Sequence, residues 1–165
     1  MAAPERQPPA SGQESVWDYP RPPRVEPTTQ LVRVLLGGEL IAQTQTAYRV
    51  LETSHPPTYY LPPQAFVPGS LRPAAGSSFC EWKGTASYLD LVGGERTVAR
   101  AAWTYPRPTQ PFAVIAGHVA LYPGLVDECT VDGEVVLAQP GGFYGGWVTS
   151  AVCGPFKGEP GTSHW

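Results

Sequence analysis

Residues able to do chemistry concentrate in one stretch, Phe79-Cys80-Glu81-Trp82-Lys83-Gly84-Thr85-Ala86-Ser87-Tyr88, which sets a thiol, a carboxylate, an ammonium and three rings close together. A thiol attacks as its thiolate, and a neighbouring imidazole or ammonium stabilises that form. Cys80 with His55 or His118, helped by Lys83, is therefore a candidate nucleophile and base. The competing reading makes Cys80 a small hydrophobe packed at the start of a strand. His118, between Gly117 and Val119, is in the same way either a base or a structural residue. Lys83 is either a solvated charge on a strand edge or a pocket cation, where Gly84 would let a ligand or backbone come close. The rings of Trp82, Tyr88, Trp103 and Tyr105 are either core or a stacking cage for a flat ligand.

Other chemistries have no support in the residue pattern. Cys80, Cys129 and Cys153 form no CxxC pair and no zinc-ligand spacing with His55, His118 or His164, so no metal site is expected. The Gly37-Gly38 corner is not followed by the paired carboxylates that hold Mg²⁺ on a triphosphate. Asp90 stands alone, and no phosphate loop occurs. No cofactor is expected. With 11 basic and 14 acidic residues, a net charge of −3 and no two adjacent Lys or Arg, the chain lacks the basic footprint of a nucleic-acid binder. No apolar run approaches the ~20 residues of a membrane span, so a cytoplasmic protein with reduced thiols is expected.

The elements that must position these groups read as β structure. A chain of 165 residues, 42% apolar or aromatic and 15% charged, suits one domain. Its 18 Gly and 20 Pro are unevenly spread: seven prolines fall in the first 29 residues. Residues 1–15 read as a disordered arm and 16–29 as a Pro-rich extended segment docked on the domain through Trp17 and Tyr19. Strands are expected over Leu31–Leu36 and Leu40–Thr44 about a Gly-Gly corner, then over Ala47–Thr53 and Thr58–Leu61, with a helical turn after Pro62-Pro63.

Residues 72–78 read as a loop leading into Phe79–Tyr88, the central strand pair that carries Cys80 and Lys83. A hairpin over Thr85–Val92 and Glu95–Tyr105 turns at Gly93-Gly94. Alternation puts Ala86, Tyr88 and Asp90 on one face and Ser87, Leu89 and Leu91 on the other. Val114–Tyr122 reads as a strand, and Asp132-Gly133 as a hairpin turn. Trp103-Thr104-Tyr105-Pro106-Arg107-Pro108 echoes Trp17-Asp18-Tyr19-Pro20-Arg21-Pro22, which suggests one local role used twice, and Lys157-Gly158 echoes Lys83-Gly84. The tail from Gln139 to Trp165 holds Phe143, Tyr144, Trp147, Phe156 and Trp165, too many rings for a linker, and is expected to wrap over the domain.

Several of these pieces resemble the domain of unknown function 427 family, labelled nucleotidyltransferase-like in some classifications. They are Arg49-Val50-Leu51-Glu52-Thr53, Tyr59-Tyr60-Leu61-Pro62-Pro63, Cys80-Glu81-Trp82-Lys83-Gly84 with Tyr88, Ala101-Ala102-Trp103-Thr104-Tyr105-Pro106, and Ile115 to Tyr122. The resemblance covers about residues 30–127, leaving 128–165 as a C-terminal hairpin and Gly/aromatic-rich extension. It implies a compact all-β, β-tent-like domain whose zinc-binding relatives carry CxxC pairs absent here. Glu81 stands where the family pattern has Pro, and Gln64-Ala65-Phe66 where an acidic residue closely follows the prolines.

The pocket expected from these readings is built from Glu52, Tyr60, Lys83, Tyr88, Trp103 and Tyr105, with Lys83 paired to Glu52, and with Cys80, Trp82 and His118 as secondary candidates. No complete catalytic set is visible, so the expected function is binding of a small molecule or a protein partner. The alternatives are an enzyme, by nucleotidyl transfer or Cys80 thiol chemistry, and a scaffold acting through the Pro/aromatic arms.

Overall fold

A computed structural model describes residues 4–165. The chain enters through β1 (Glu14–Ser15) and a 3-10 turn over Val16–Asp18, whose N-cap Ser15 hydroxyl accepts from the Trp17 amide. Next come β2 (Arg24–Pro27), β3 (Val32–Leu36), β4 (Glu39–Thr44), β5 (Tyr48–Leu51) and β6 (Thr58–Tyr60). A 3-10 turn over Pro63–Ala65 follows, then β7 (Leu71–Cys80), β8 (Gly84–Gly93) and β9 (Arg96–Thr104). Short helical segments over Gln110–Ile115 and Pro123–Leu125 flank β10 (Val119–Leu121). The chain closes with β11 (Glu128–Val131), β12 (Glu134–Val135), β13 (Leu137–Ala138), β14 (Trp147–Val148) and β15 (Val152–Cys153).

Two four-stranded sheets, ordered β10-β9-β8-β7 and β12-β11-β3-β4, are joined by a three-stranded sheet, β2-β5-β6. All their pairings are antiparallel, as the tight Gly-Gly and Asp-Gly turns require. The result is an all-β fold. Alternation decides which face goes inward: β3 buries Val32, Val34 and Leu36 and turns Arg33 to solvent.

The sheet β10-β9-β8-β7 is apolar on both faces and divides two clusters. Leu91, Val119 and Leu121 face the main core with Val34, Ile41 and the fully buried Trp147. Ala86 and Ala120 face a second cluster with Tyr60, Tyr105, Phe112 and Ile115, against which Cys80 and Trp103 pack. Each fully buried Leu-sized side chain stabilises the fold by about 1.5–3 kcal/mol, so the main core supplies most of the stability. The smaller alanines on the other face leave room beside the rings.

The chain ends are held to each other. β1 pairs in parallel with β15, the Trp17 indole N–H donates to the Pro155 carbonyl at 2.8 Å, and Trp17 packs edge-on to Trp165 at 5.3 Å. The C-terminal tail is thus wrapped over the domain and against the N-terminal segment. Of the arm expected over residues 1–15, residues 1–3 lie outside the described ones. Beyond them, Arg6 pairs with Asp18 at 2.9 Å and the Gln7 amide donates to Gly154. No helix among the described residues is long and apolar enough to cross a membrane.

Four local expectations are corrected. Residues 72–78 are strand, not loop: they belong to β7, an edge strand irregular between Pro73 and Ser77 and largely exposed. Phe79–Tyr88 does contribute two paired strands, the end of β7 and the start of β8 about a turn over Glu81–Lys83, but the pair is not central, since β8 is interior and β7 is the sheet edge. Val114–Tyr122 is strand only over Val119–Leu121; Pro111 near the start of the preceding helical segment and Gly117 at φ 70° set the chain off the extended path. The repeated Trp-x-Tyr-Pro does not do one job twice, since Trp17 lies in a 3-10 turn and Trp103 near the end of β9.

Candidate functional site: an aromatic cavity with a buried lysine

On the side of β8 and β9 away from the main core lies a cavity of about 400 Å³. Glu52, Tyr60, Lys83, Tyr88, Trp103, Tyr105 and Cys80 all line it. Their placement follows from the sheet. Tyr88 and Trp103 are directly paired across β8 and β9, so both side chains rise from the same face, where Ala86 keeps the floor low. Tyr60, on β6, accepts a hydrogen bond from the Trp103 indole N–H at 3.2 Å, and its ring centroid lies 6.4 Å from that of Tyr105. Trp103 in turn packs on Tyr122 at 4.8 Å.

Lys83 reaches the cavity from the turn between β7 and β8. The turn is anchored by Thr109, whose amide donates to the Lys83 carbonyl at 3.0 Å and whose hydroxyl donates to the Trp82 carbonyl. Lys83 is only 8% exposed, and its Nζ lies 5.7 Å from the Tyr105 ring centroid and 5.8 Å from that of Phe112. Among the described residues nothing ion-pairs or hydrogen-bonds with that ammonium, so ring faces are its protein contacts.

The expected pairing of Lys83 with Glu52 is therefore corrected. The Glu52 carboxylate instead faces His55 Nε2 at 3.6 Å, because the turn after β5 brings the imidazole back onto it. His55 Nδ1 lies 2.9 Å from the Gln139 side-chain nitrogen. An amide nitrogen only donates, so Nδ1 accepts and the imidazole proton sits on Nε2, directed at Glu52. Burial pushes the His55 pKa below its ordinary value; Glu52 works against this and Lys157 with it. Burial likewise pushes Tyr60 and Tyr105 well above the ordinary phenol range, and both stay protonated at neutral pH.

The remaining wall comes from the tail. Tyr144 packs edge-on to His55 at 4.9 Å, and Lys157 Nζ lies 5.6 Å over the Tyr144 ring while donating to the Trp165 carbonyl at 3.1 Å. Gly145 lies against Trp103 so closely that a Cβ there would stand 2.2 Å from the indole. Phe79 and Phe143 line the cavity yet are 77% and 76% exposed, so they stand at its opening.

Two secondary candidates fall elsewhere. Trp82 lines a separate hollow of about 340 Å³ with Pro22, Pro23 and Phe112. His118 packs on Tyr48 at 5.5 Å, with Nδ1 3.3 Å from the Ala116 carbonyl, and does not line the aromatic cavity. Conversely, Gln139, Tyr122, Tyr144 and Lys157 line the cavity without being among the sequence candidates, and His55 was considered only as a base for Cys80. The signals for the tail were its many rings and the Lys157-Gly158 echo of Lys83-Gly84. No cluster of metal-ligating side chains occurs among the described residues.

Fold and cavity together define an all-β domain with an internal aromatic-lined hollow. Residues 24–132 match the family described as a domain of unknown function (DUF427), which also carries an NTP-transferase label, and the chain belongs to this family. No curated protein matches the chain. The family segment supplies Glu52, Tyr60, Lys83, Tyr88, Trp103 and Tyr105; Gln139, Tyr144 and Lys157 lie beyond it.

Proposed function

We propose that this domain binds a small molecule in the aromatic cavity and performs no chemistry on it. The observation that carries this reading is Lys83, a residue only 8% exposed whose ammonium has no anionic partner among the described residues, set in a hollow walled by Tyr60, Trp103 and Tyr105. An ammonium whose protein contacts are ring faces is suited to a ligand that supplies an acceptor for it. A volume near 400 Å³ falls in the range of small-molecule sites, about 300–1,000 Å³.

Nucleotidyl transfer, the alternative suggested by the family's label, lacks support: among the described residues Glu52 is the one carboxylate lining the cavity, and it faces His55. The three cysteines are free thiols, which fits a cytoplasmic location. Native mass spectrometry of the protein purified from native extract tests the binding reading. A retained small molecule is expected; a retained protein partner and no small molecule would favour the scaffold reading instead.

A further inference from the structure

We infer that the ligand is an aromatic acid, a flat ring carrying one carboxylate; this rests on the binding reading above. The charges lining the cavity are not equally available. Glu52 is engaged by His55, and Lys157 donates to the Trp165 carbonyl while lying over Tyr144. Lys83 is the lining cation without a hydrogen-bonded or ionic partner among the described residues.

The neutral groups beside it are donors too. The Tyr60 oxygen accepts from Trp103, and its own O–H has no acceptor among the described residues, whereas the Tyr105 O–H lies against the Cys80 thiol. Both phenols keep their protons, because deprotonation in this buried setting is strongly opposed. The Lys83 ammonium and the free Tyr60 O–H, which line the same cavity, match the lone pairs of a carboxylate. A ligand amine would meet Lys83 as a like charge. A phosphate is less well matched, since the second cation lining the cavity, Lys157, is held over Tyr144 by the Trp165 carbonyl, and no Arg among the described residues lines the cavity to share a second negative charge. Trp103 and Tyr88, side by side on β9 and β8, are the rings beside the cavity, with Tyr88 covered on one side by the Arg100 guanidinium at 4.3 Å and Trp103 packed on Tyr122.

The test uses the full chain and four probes of related size: indole-3-acetate, indole-3-acetamide, tryptamine and phenyl phosphate, titrated calorimetrically at pH 7.5. The acid is expected to bind at least tenfold more tightly than the amide and than phenyl phosphate, and tryptamine not at all. Lys83→Met is expected to erase the preference for acid over amide. Tyr60→Phe, which keeps the ring, is expected to weaken the acid several-fold and spare the amide, so the assignment stays testable even if Lys83→Met does not fold. An amide, amine or phosphate that binds as well as the acid overturns the acid assignment and leaves cavity binding standing. Failure of all four probes also overturns it, and the native mass spectrum then decides whether the binding reading survives.

Discussion

The side-chain amide of Gln139 donates a hydrogen bond to Nδ1 of His55 at 2.9 Å across 84 positions of sequence. Its second N–H donates to the Lys157 carbonyl at 2.8 Å, and its oxygen accepts from the Gly146 amide at 3.1 Å. With Gln139 only 3% exposed, one side chain latches the tail to the family domain and holds Tyr144, Gly145 and Lys157 at the cavity.

Replacing Gln139 by Ala removes three hydrogen bonds and leaves buried partners unmet. A loss of about 2–4 kcal/mol is expected, since each orphaned buried group costs about 1–3 kcal/mol and part of the tail can rehydrate. Urea unfolding measures this. Gln139→Glu should not rescue it, because a carboxylate cannot donate to both His55 Nδ1 and the Lys157 carbonyl.

The same latch makes stability depend on pH. The His55 pKa is lowered from 6.5 in the fold, first by burial, with Lys157 and Arg21 adding to the shift and Glu52 and Gln139 opposing it. Unfolding therefore takes up a proton between the lowered value and 6.5. The stabilisation is complete above about pH 6.5 and is lost as pH falls toward the folded-state value. Urea midpoints should be lower at pH 5.5 than at pH 7.5, and His55→Gln should flatten that difference.

Two neighbouring glycines should respond unequally to substitution. The turn of β3 and β4 meets the turn of β8 and β9 backbone to backbone: a Cβ on Gly37 would lie 1.9 Å from the Gly93 carbonyl oxygen, while Gly38 faces open space. Both have positive φ, 62° and 79°. Gly38→Ala should cost about 1–2 kcal/mol for the left-handed backbone alone. Gly37→Ala should cost that and the parting of the two turns, about 3 kcal/mol or more in total. Thermal unfolding of the two variants gives the comparison, and equal losses would contradict the packed-turn description.

The β class was legible because alternation and turn dipeptides are local. Val32, Val34 and Leu36 declare a buried face, and Gly37-Gly38 and Asp132-Gly133 declare turns. β7 was not legible: as an edge strand with nearly every residue exposed it has no apolar alternation, and Pro73 and Gly76 mimic a loop. Lys83, Trp103 and Tyr105 drew attention as charge and rings close together, and the family resemblance added Glu52 and Tyr60. Gln139 and Lys157 could not be read, because their role depends on a tail that returns across the whole domain. Lys83 and Lys157, which share a following glycine, both line the cavity, though the echo carried no indication of that. Glu52 was given the wrong partner because sequence cannot show the turn that brings His55 back onto its carboxylate.

The central claim is that the unpartnered ammonium of Lys83 holds a small molecule in the cavity. Native mass spectrometry of the wild-type chain and of Lys83→Met, purified side by side from native extract and matched for folding by circular dichroism, tests it most directly. The account expects one small molecule retained by the wild type and lost from the variant. Equal retention by both, or a wild-type protein that carries nothing, would contradict it.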